Sequence, residues 1–346
     1  MINRENYLLV RHNLIYRDRV LQNDPHTIAT YWQSLKHLLQ WADKRSLKEA
    51  NKIMPSFPEY ILTARNESFS GAPLDKPLTP KYMAKVLSHA RAFFDWARTH
   101  ERGFVGISEA WITTLQVRRS FGVQSRLQEH SYWRLEDIRK IIALTPGNLR
   151  EERDIAALAF LFVSGMRIGA FVTLPAACVD VTRRRIEQLP EMGVQTKNHK
   201  ASITFLLPIT DLLAIVEKWD TRIKSLQGEY NWYPALNHDG WAGTQLKAGL
   251  LKGQYTGRAE AFDKGMKMLC DRAGVSYKSP HKVRHGHGVY GVKKSKNMGE
   301  LKAVSQNMMH ANVGITDGIY GKLAEDELSE ILAGFGDDNT EKEPTQ

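Results

Sequence analysis

The sequence predicts a mainly helical fold with a small antiparallel β-sheet, an α+β protein of two domains. Two helix starts, Asp24-Pro25 and Thr79-Pro80, each open a run of apolar residues at helical spacing. Short alternating segments between residues 185 and 207 carry the strand signals. With 346 residues the chain matches two domains of roughly 100–200 residues, each large enough to bury a core without staples.

After Asp24 as N-cap and Pro25 at the first helical position, Ile28, Tyr31, Trp32, Leu35, Leu38, Leu39 and Ala42 form one face of a helix of four to five turns, with Lys36 and His37 between them. Behind Thr79-Pro80, Met83, Val86, Leu87, Ala90, Phe93, Phe94 and Ala97 do the same. The passage from Pro55 to Pro77 is Pro-rich and reads as irregular. Residues 1–110 are therefore expected as a small helical domain. Periodicity lapses over residues 111–131, where QVRRSFGVQSRLQEH is polar and basic and reads as a linker.

The second domain, residues 132–324, opens with helices over 135–144 and over the uncharged run 155–163, which Ser164-Gly165 stops. Strands are expected at 185–189, 193–196 and 202–207, the last ended by Pro208. Residues 221–258 are rich in glycine and aromatics and read as loops and short helices, before helical pattern resumes over 261–273. Residues 325–346 hold a short apolar stripe, Leu328, Ile331, Leu332 and Phe335, and a polar tail. There is no internal repeat.

Composition narrows the class. At 42% hydrophobic residues the chain is too apolar to be disordered, and no stretch approaches the ~20 consecutive apolar residues of a membrane span. The N-terminus, MINRENYLLVRHNLIYRDR, is broken by charge every few residues and is no signal peptide, so a cytoplasmic protein without a membrane partner is expected. Cys178 and Cys270 are the only cysteines, which excludes a disulfide framework and a Cys-rich zinc site; both are expected as reduced core thiols.

The net charge of +10 is unevenly spread: +7 over residues 1–130, +10 over 131–324 and −7 over 325–346. Two basic bodies followed by an acidic tail carry the electrostatic footprint of a nucleic-acid binder, although a basic enzyme of another kind has the same balance.

Several enzyme signatures are missing: G-x-x-x-x-G-K-[ST], G-x-G-x-x-G after a strand, H-E-x-x-H and G-x-S-x-G. What remains are basic residues at points of structural punctuation. Arg167 lies in SGMRIGA where the buried helix ends, Lys197 in TKNHK at a turn of the sheet, His281 and Arg284 in HKVRHGHG, and His310 and Tyr320 in MMHANVGITDGIYGKL. Two arginines, a lysine, two histidines and a tyrosine suit phosphoryl transfer.

Plainer roles compete for each. An arginine directly after an uncharged buried run enters the interior unless it meets an anion, which favours a functional Arg167 over a helix-end arginine. Lys197 competes with Lys200 and with an ordinary solvated turn. His310 also fits a core position, and Tyr320 is one of 12 tyrosines. His281, His285 and His287 have the spacing of a helical metal site, but neither carboxylate nor cysteine accompanies them and Arg284 would repel a cation. No metal and no other cofactor is expected.

In this order the pieces resemble the tyrosine recombinases, the phage-integrase family: Arg167 in an SGMRIG context, Lys197 between two strands, the H-x-x-R box of His281 and Arg284, and His310 ten residues before Tyr320. The N-terminal helices are similar to the family's core-binding domain, so the resemblance spans most of residues 24–333. It implies a two-domain, C-shaped clamp on double-stranded DNA. Basic linker residues Arg118, Arg119 and Arg126 would then lie along phosphates.

The roles follow from the resemblance. Tyr320 is the nucleophile, displacing a 5′-oxygen to leave a 3′-phosphotyrosyl bond; Arg167, Arg284 and His310 hold the phosphate, His281 takes the tyrosine proton and Lys197 protonates the leaving oxygen. The implied activity is site-specific recombination for a mobile element, independent of metal and ATP. It would proceed in a homotetramer on DNA, from a monomer or dimer when free, with accessory directionality or DNA-bending proteins. The apolar stripe of residues 328–335 either packs on its own domain or docks on a neighbouring protomer. Relaxation like that of a type IB topoisomerase and a non-catalytic DNA-binding protein on the same scaffold are the alternatives. Two positions depart from the family pattern: Ala170 stands where an acidic residue is usual, and Met309 where glycine is usual.

Overall fold

A computed structural model describes residues 2–67, 73–116, 131–237, 245–251, 256–310, 312–314 and 316. The chain divides into two compact units, Met1–Gln128 and Glu129–Gln346.

The first unit is built on α1 (Arg4–Arg19), α2 (Pro25–Ala42), α3 (Phe57–Thr63), α4 (Pro80–His100) and α5 (Glu109–Thr113). Both start signals act as expected. Asp24 accepts a hydrogen bond from the Thr27 amide ahead of α2, and Thr79 accepts one from the Tyr82 amide ahead of α4. Their apolar faces meet in a core of Leu35, Leu38, Leu39, Val86, Phe93 and Phe94. Ile112 and Leu115 belong to the same core, which therefore continues past residue 110.

Two parts of this unit differ from the sequence expectation. Helix α1 has no clean apolar stripe because its buried face includes Asn6, Asn13 and Arg17, while Tyr7, Leu8 and Ile15 stay exposed. Asn6 is satisfied by the Arg45 carbonyl at 2.8 Å and the Leu47 amide at 2.9 Å. The Arg17 guanidinium lies 3.6 Å from the Tyr31 ring centroid and bonds Asn13. The passage read as irregular contains α3 and an antiparallel pair, β1 (Arg65–Glu67) with β2 (Pro73–Pro77). Pro58, Pro73 and Pro77 sit where proline is tolerated, at the first turn of α3 and at the ends of an edge strand.

The second unit is organised around α7 (Leu149–Ser164), buried throughout residues 153–164 and packed by α6 (Leu135–Ile142), α9 (Thr210–Lys224), α10 (Thr256–Ala273) and α11 (His281–Lys294). Phe160, Phe171, Trp232, Tyr233 and Phe262 form its aromatic centre. Helix α9 buries Leu212, Val216, Trp219 and Ile223 at helical spacing and reaches into the passage read as loops. Short α8 (Ile168–Val172) follows α7, and α12 (Met298–Asn307) follows α11.

The sheet has three antiparallel strands in the order β3 (Val179–Asp180), β4 (Arg185–Gln188), β5 (Ser202–Phe205), with Arg185 opposite Phe205 and Gln188 opposite Ser202. The strand expected at 193–196 does not form. Pro190 opens a 3-10 turn that ends at Gly193 with φ of 88°, so the chain leaves the sheet there and Val179–Asp180 supplies the third strand. Among the described residues no helix is long and apolar enough to cross a membrane.

Candidate active site

The site begins where α7 ends. Gly165 takes a left-handed conformation, φ 63°, and its amide bonds the Leu161 carbonyl, closing the helix. Arg167 follows in an extended conformation as the N-cap of α8, half-buried in the sharp turn between two buried helices. A side chain at position 165 would be excluded twice: by the backbone angle, and by the His287 ring, whose Cδ2 would lie 2.5 Å from a Cβ there.

Arg284, on the first turns of α11 and only 4% exposed, ties this turn to the end of α12. Its Nη1 donates to the Gly165 carbonyl at 2.5 Å and its Nη2 to the Met308 carbonyl. One guanidinium thus bridges the backbone two residues before Arg167 and two residues before His310. Helix α11 lies close enough to the start of the unit that a Cβ on Gly286 would lie 2.1 Å from the Trp133 carbonyl.

His310 is placed by the way α12 ends. The Met309 amide bonds Gln306 and the His310 amide bonds Ser305, the paired bonds of a Schellman cap, and Met309 occupies its left-handed position at φ 53°. Glycine is the residue that position favours, which gives a physical reason for the glycine of the family pattern. The His310 ring then meets the buried Thr316 hydroxyl, Nδ1 to Oγ1 at 2.7 Å.

Electrostatics join the four residues. Burial, then the charges of Arg284 and Arg167, hold the His310 imidazole down to about 4. His281, exposed on the first turn of α11, is lowered as well, by desolvation of its ring and by Arg284, Lys282 and Arg167. Both imidazoles are therefore neutral at pH 7, beside the same pair of guanidinium groups.

His287 has a different task. It is buried, bonds the Phe162 carbonyl through Nδ1 at 2.7 Å and is held down to about 4, chiefly by burial. His281 and His285 pack edge to face, 4.8 Å between ring centroids, but His287 faces Phe162 and Gly165. Among the described residues no group of three metal-ligating side chains comes together.

The structure brings together Arg167, His281, Arg284 and His310. Lys197 lies exposed on a 3-10 turn, Lys197–His199, between β4 and β5, where Asn198 and His199 have positive φ; Lys200 is exposed beside it. No contact among the described residues joins Lys197 to the cluster. Tyr320 lies outside the described residues, as do Arg118, Arg119, Arg126 and residues 325–346.

Residues 132–327 match the Phage integrase family. The chain belongs to the phage integrase family of tyrosine recombinases. The integrase fold is shared with the Tn1549 transposon integrase in complex with transposon right end DNA, at 15% identity over 97% of this chain and 100% of that one, TM-score 0.61. It is also shared with a lambda integrase dimer bound to a COC′ core site, at 13% identity over 97% and 98%, TM-score 0.57. A third likeness is to the XerH site-specific recombinase bound to palindromic difH substrate, at 15% identity over 89% and 79%, TM-score 0.58. Among curated proteins none matches this sequence.

Sequence reasoning on the integrase missed Thr316 and the Gly165–His287 contact. Thr316 carries a faint signal, a threonine between His310 and Tyr320 in a segment otherwise short of polar hydroxyls. The contacts of His287 carry no local signature, since its partners lie more than a hundred residues away.

Proposed function

We propose that this integrase is a site-specific DNA recombinase that cleaves and rejoins duplex DNA through a 3′-phosphotyrosine, with Tyr320 as nucleophile. The observation that carries the reading is the cluster in which Arg167 and Arg284 flank two neutral imidazoles, His281 and His310. As the phenolic oxygen bonds to phosphorus and the P–O5′ bond breaks, negative charge grows on the non-bridging oxygens. The Arg284 guanidinium, already fixed by two backbone carbonyls in a partly dry site, stabilises that charge without reorganising, with the Arg167 charge beside it.

Each proton has a destination. A phenol with an ordinary pKa near 10 is a poor nucleophile at neutral pH, and neutral His281 is competent to take its proton. A Thr316 hydroxyl donating to His310 Nδ1 leaves Nε2–H to donate to the phosphate. Lys197 protonates the departing 5′-oxygen. The phosphotyrosyl bond keeps the energy of the broken phosphodiester, so the free 5′-hydroxyl of a partner strand can reverse the step without ATP.

The wider reading follows from that chemistry. Both basic units bind double-stranded DNA, strand exchange proceeds in a tetramer, and integration or excision of a mobile element in the cytoplasm is the use the reaction serves. The residues named accomplish the step without a metal ion.

The test is a duplex whose cleaved end is lost by diffusion, which traps the covalent adduct. Wild type should form an adduct resistant to EDTA and Tyr320→Phe should form none. Adduct formation by Tyr320→Phe would overturn the nucleophile assignment; salt-sensitive binding with no adduct from wild type would leave a DNA-binding protein on the same scaffold.

A further inference from the structure

Among the described residues strand β5 is an edge strand, paired to β4 on one side. Its outer edge is met by the end of α12. The Asn307 side chain accepts from the Phe205 amide at 2.7 Å and donates to the Phe205 carbonyl at 3.0 Å, so one primary amide satisfies both backbone groups as a neighbouring strand would. The Thr204 hydroxyl reaches the Asn307 carbonyl at 3.4 Å, and the Ser202 hydroxyl lies 3.0 Å from the Met309 sulfur. Read along β5 from Phe205 back to Ser202, the contacts advance from Asn307 to Met309, and His310 is next in line.

We propose that Asn307 is a positioning residue that latches β5, and through it the Lys197 turn, to the turn that carries His310. The latch joins the Lys197 side of the site to the His310 turn; the same connection meets the Arg167 helix at a separate point, where the Gln195 amide donates to the Thr173 hydroxyl at 2.9 Å. On one side Arg284 fixes the Met308 carbonyl, so the His310 turn is anchored to α11. On the other, the β4–β5 connection has no anchor of its own over residues 197–200: it is exposed, and two of its residues hold left-handed conformations. On the C-terminal side of that turn, Ser202 and Phe205 are where the strand meets the His310 turn, and both contacts come from the segment 307–309.

The latch also bears on Met309. A left-handed conformation costs a non-glycine residue free energy, and this one is held between the Ser202 contact and the Arg284 bond. An edge-strand cap that served only to block edge-to-edge pairing would need Asn307 and Phe205 alone. The further contacts at Ser202 and Met309 continue toward His310 and make the arrangement a coupling between two turns.

The proposal rests on the roles given above to Lys197 and His310, and its experiment separates the two. Single-turnover adduct formation is measured for wild type, Asn307→Ala and Ser202→Ala. Two substrates are used: one with the ordinary 5′-oxygen at the scissile bond, and one with sulfur there, whose thiolate leaves without being protonated. Asn307→Ala should slow cleavage of the oxygen substrate about 10- to 100-fold, with DNA affinity within about 2-fold of wild type. The loss should shrink to about 2-fold on the sulfur substrate, because a misplaced Lys197 is not needed there. Ser202→Ala should show a smaller loss of the same kind.

Equal losses on both substrates, or none on either, would overturn the coupling. Hydrogen exchange decides the matter without catalysis: Asn307→Ala should speed exchange across residues 197–201, which Asn307 does not touch, and unchanged exchange there would overturn the proposal even if wild type forms no adduct.

Discussion

Arg284 and Lys197 are both cations to which the proposed reaction gives a task, yet the second unit treats them in opposite ways. Arg284 is sealed beneath α11 with two backbone carbonyls on its guanidinium, and those carbonyls belong to the segments that carry Arg167 and His310. Lys197 is exposed on a turn with two left-handed residues and touches none of the cluster. The difference teaches that the Arg284 half of the proposed site is built by the fold itself, while the Lys197 half is left facing solvent. A preformed anion site is tolerable without its ligand because backbone carbonyls satisfy the arginine; a lysine has water for the same purpose.

The largest effect that sharpens this contrast is on the two side chains themselves. Arg284→Ala should abolish adduct formation and also destabilise the unit by about 2–4 kcal/mol, because two buried carbonyls lose charge-assisted donors. Lys197→Ala should lower the cleavage rate but leave stability within about 0.5 kcal/mol of wild type, as an exposed substitution. Urea titrations and single-turnover assays on both variants check it. A Lys197→Ala variant as unstable as Arg284→Ala would break the comparison.

The same division explains how much was legible beforehand. Helices α2 and α4 were open to reading because a cap and a proline mark their starts and their buried faces are mainly apolar, Ser34 and His37 being the buried polar residues of α2. Helix α1 was closed to it because Asn6, Asn13 and Arg17 occupy buried positions, a pattern only tertiary partners make stable. In the site, Arg167, His281, Arg284 and His310 were legible from their motif order. What each leans on was not: Gly165 beside His287, Thr316 beside His310, and Asn307 along β5 are encounters set by packing, between residues with no signature spacing. The false strand at 193–196 has the same origin, since Gly193 and Pro190 act through backbone angles that an alternating pattern does not register.

A second prediction concerns acid. His287, in the rigid half, is neutral because it is buried against Phe162, and its folded pKa near 4 lies below the ordinary value of 6.5. Well above pH 6.5 neither folded nor unfolded chain protonates this ring. As pH falls from 6.5 toward 4 the unfolded chain takes up a proton that the folded chain refuses, so stability declines across that window, by on the order of 3 kcal/mol at most from this residue. Urea midpoints between pH 7 and 4.5 should fall accordingly, and the His287 Cε1 proton resonance should show no titration above about pH 5. A resonance titrating near 6.5 would place the ring in water and dissolve the distinction between the sealed half and the open one.

The smallest effect lies at the join between the halves. Met309 holds φ at 53° in the cap that aims His310, where an L-residue with a side chain pays about 1 kcal/mol over glycine. Met309→Gly should recover roughly that amount, less the packing of a partly buried side chain and its contact with Ser202. The expected net change is a stabilisation of no more than about 1 kcal/mol, measured by urea titration, with adduct formation kept within a few-fold of wild type. The rate is the informative half. Since Arg284 still bonds the Met308 carbonyl and Asn307 still pairs with Phe205 in that variant, His310 stays anchored from both sides, and a large loss of cleavage would mean that the Met309 side chain, not the cap and the guanidinium, holds the turn in place.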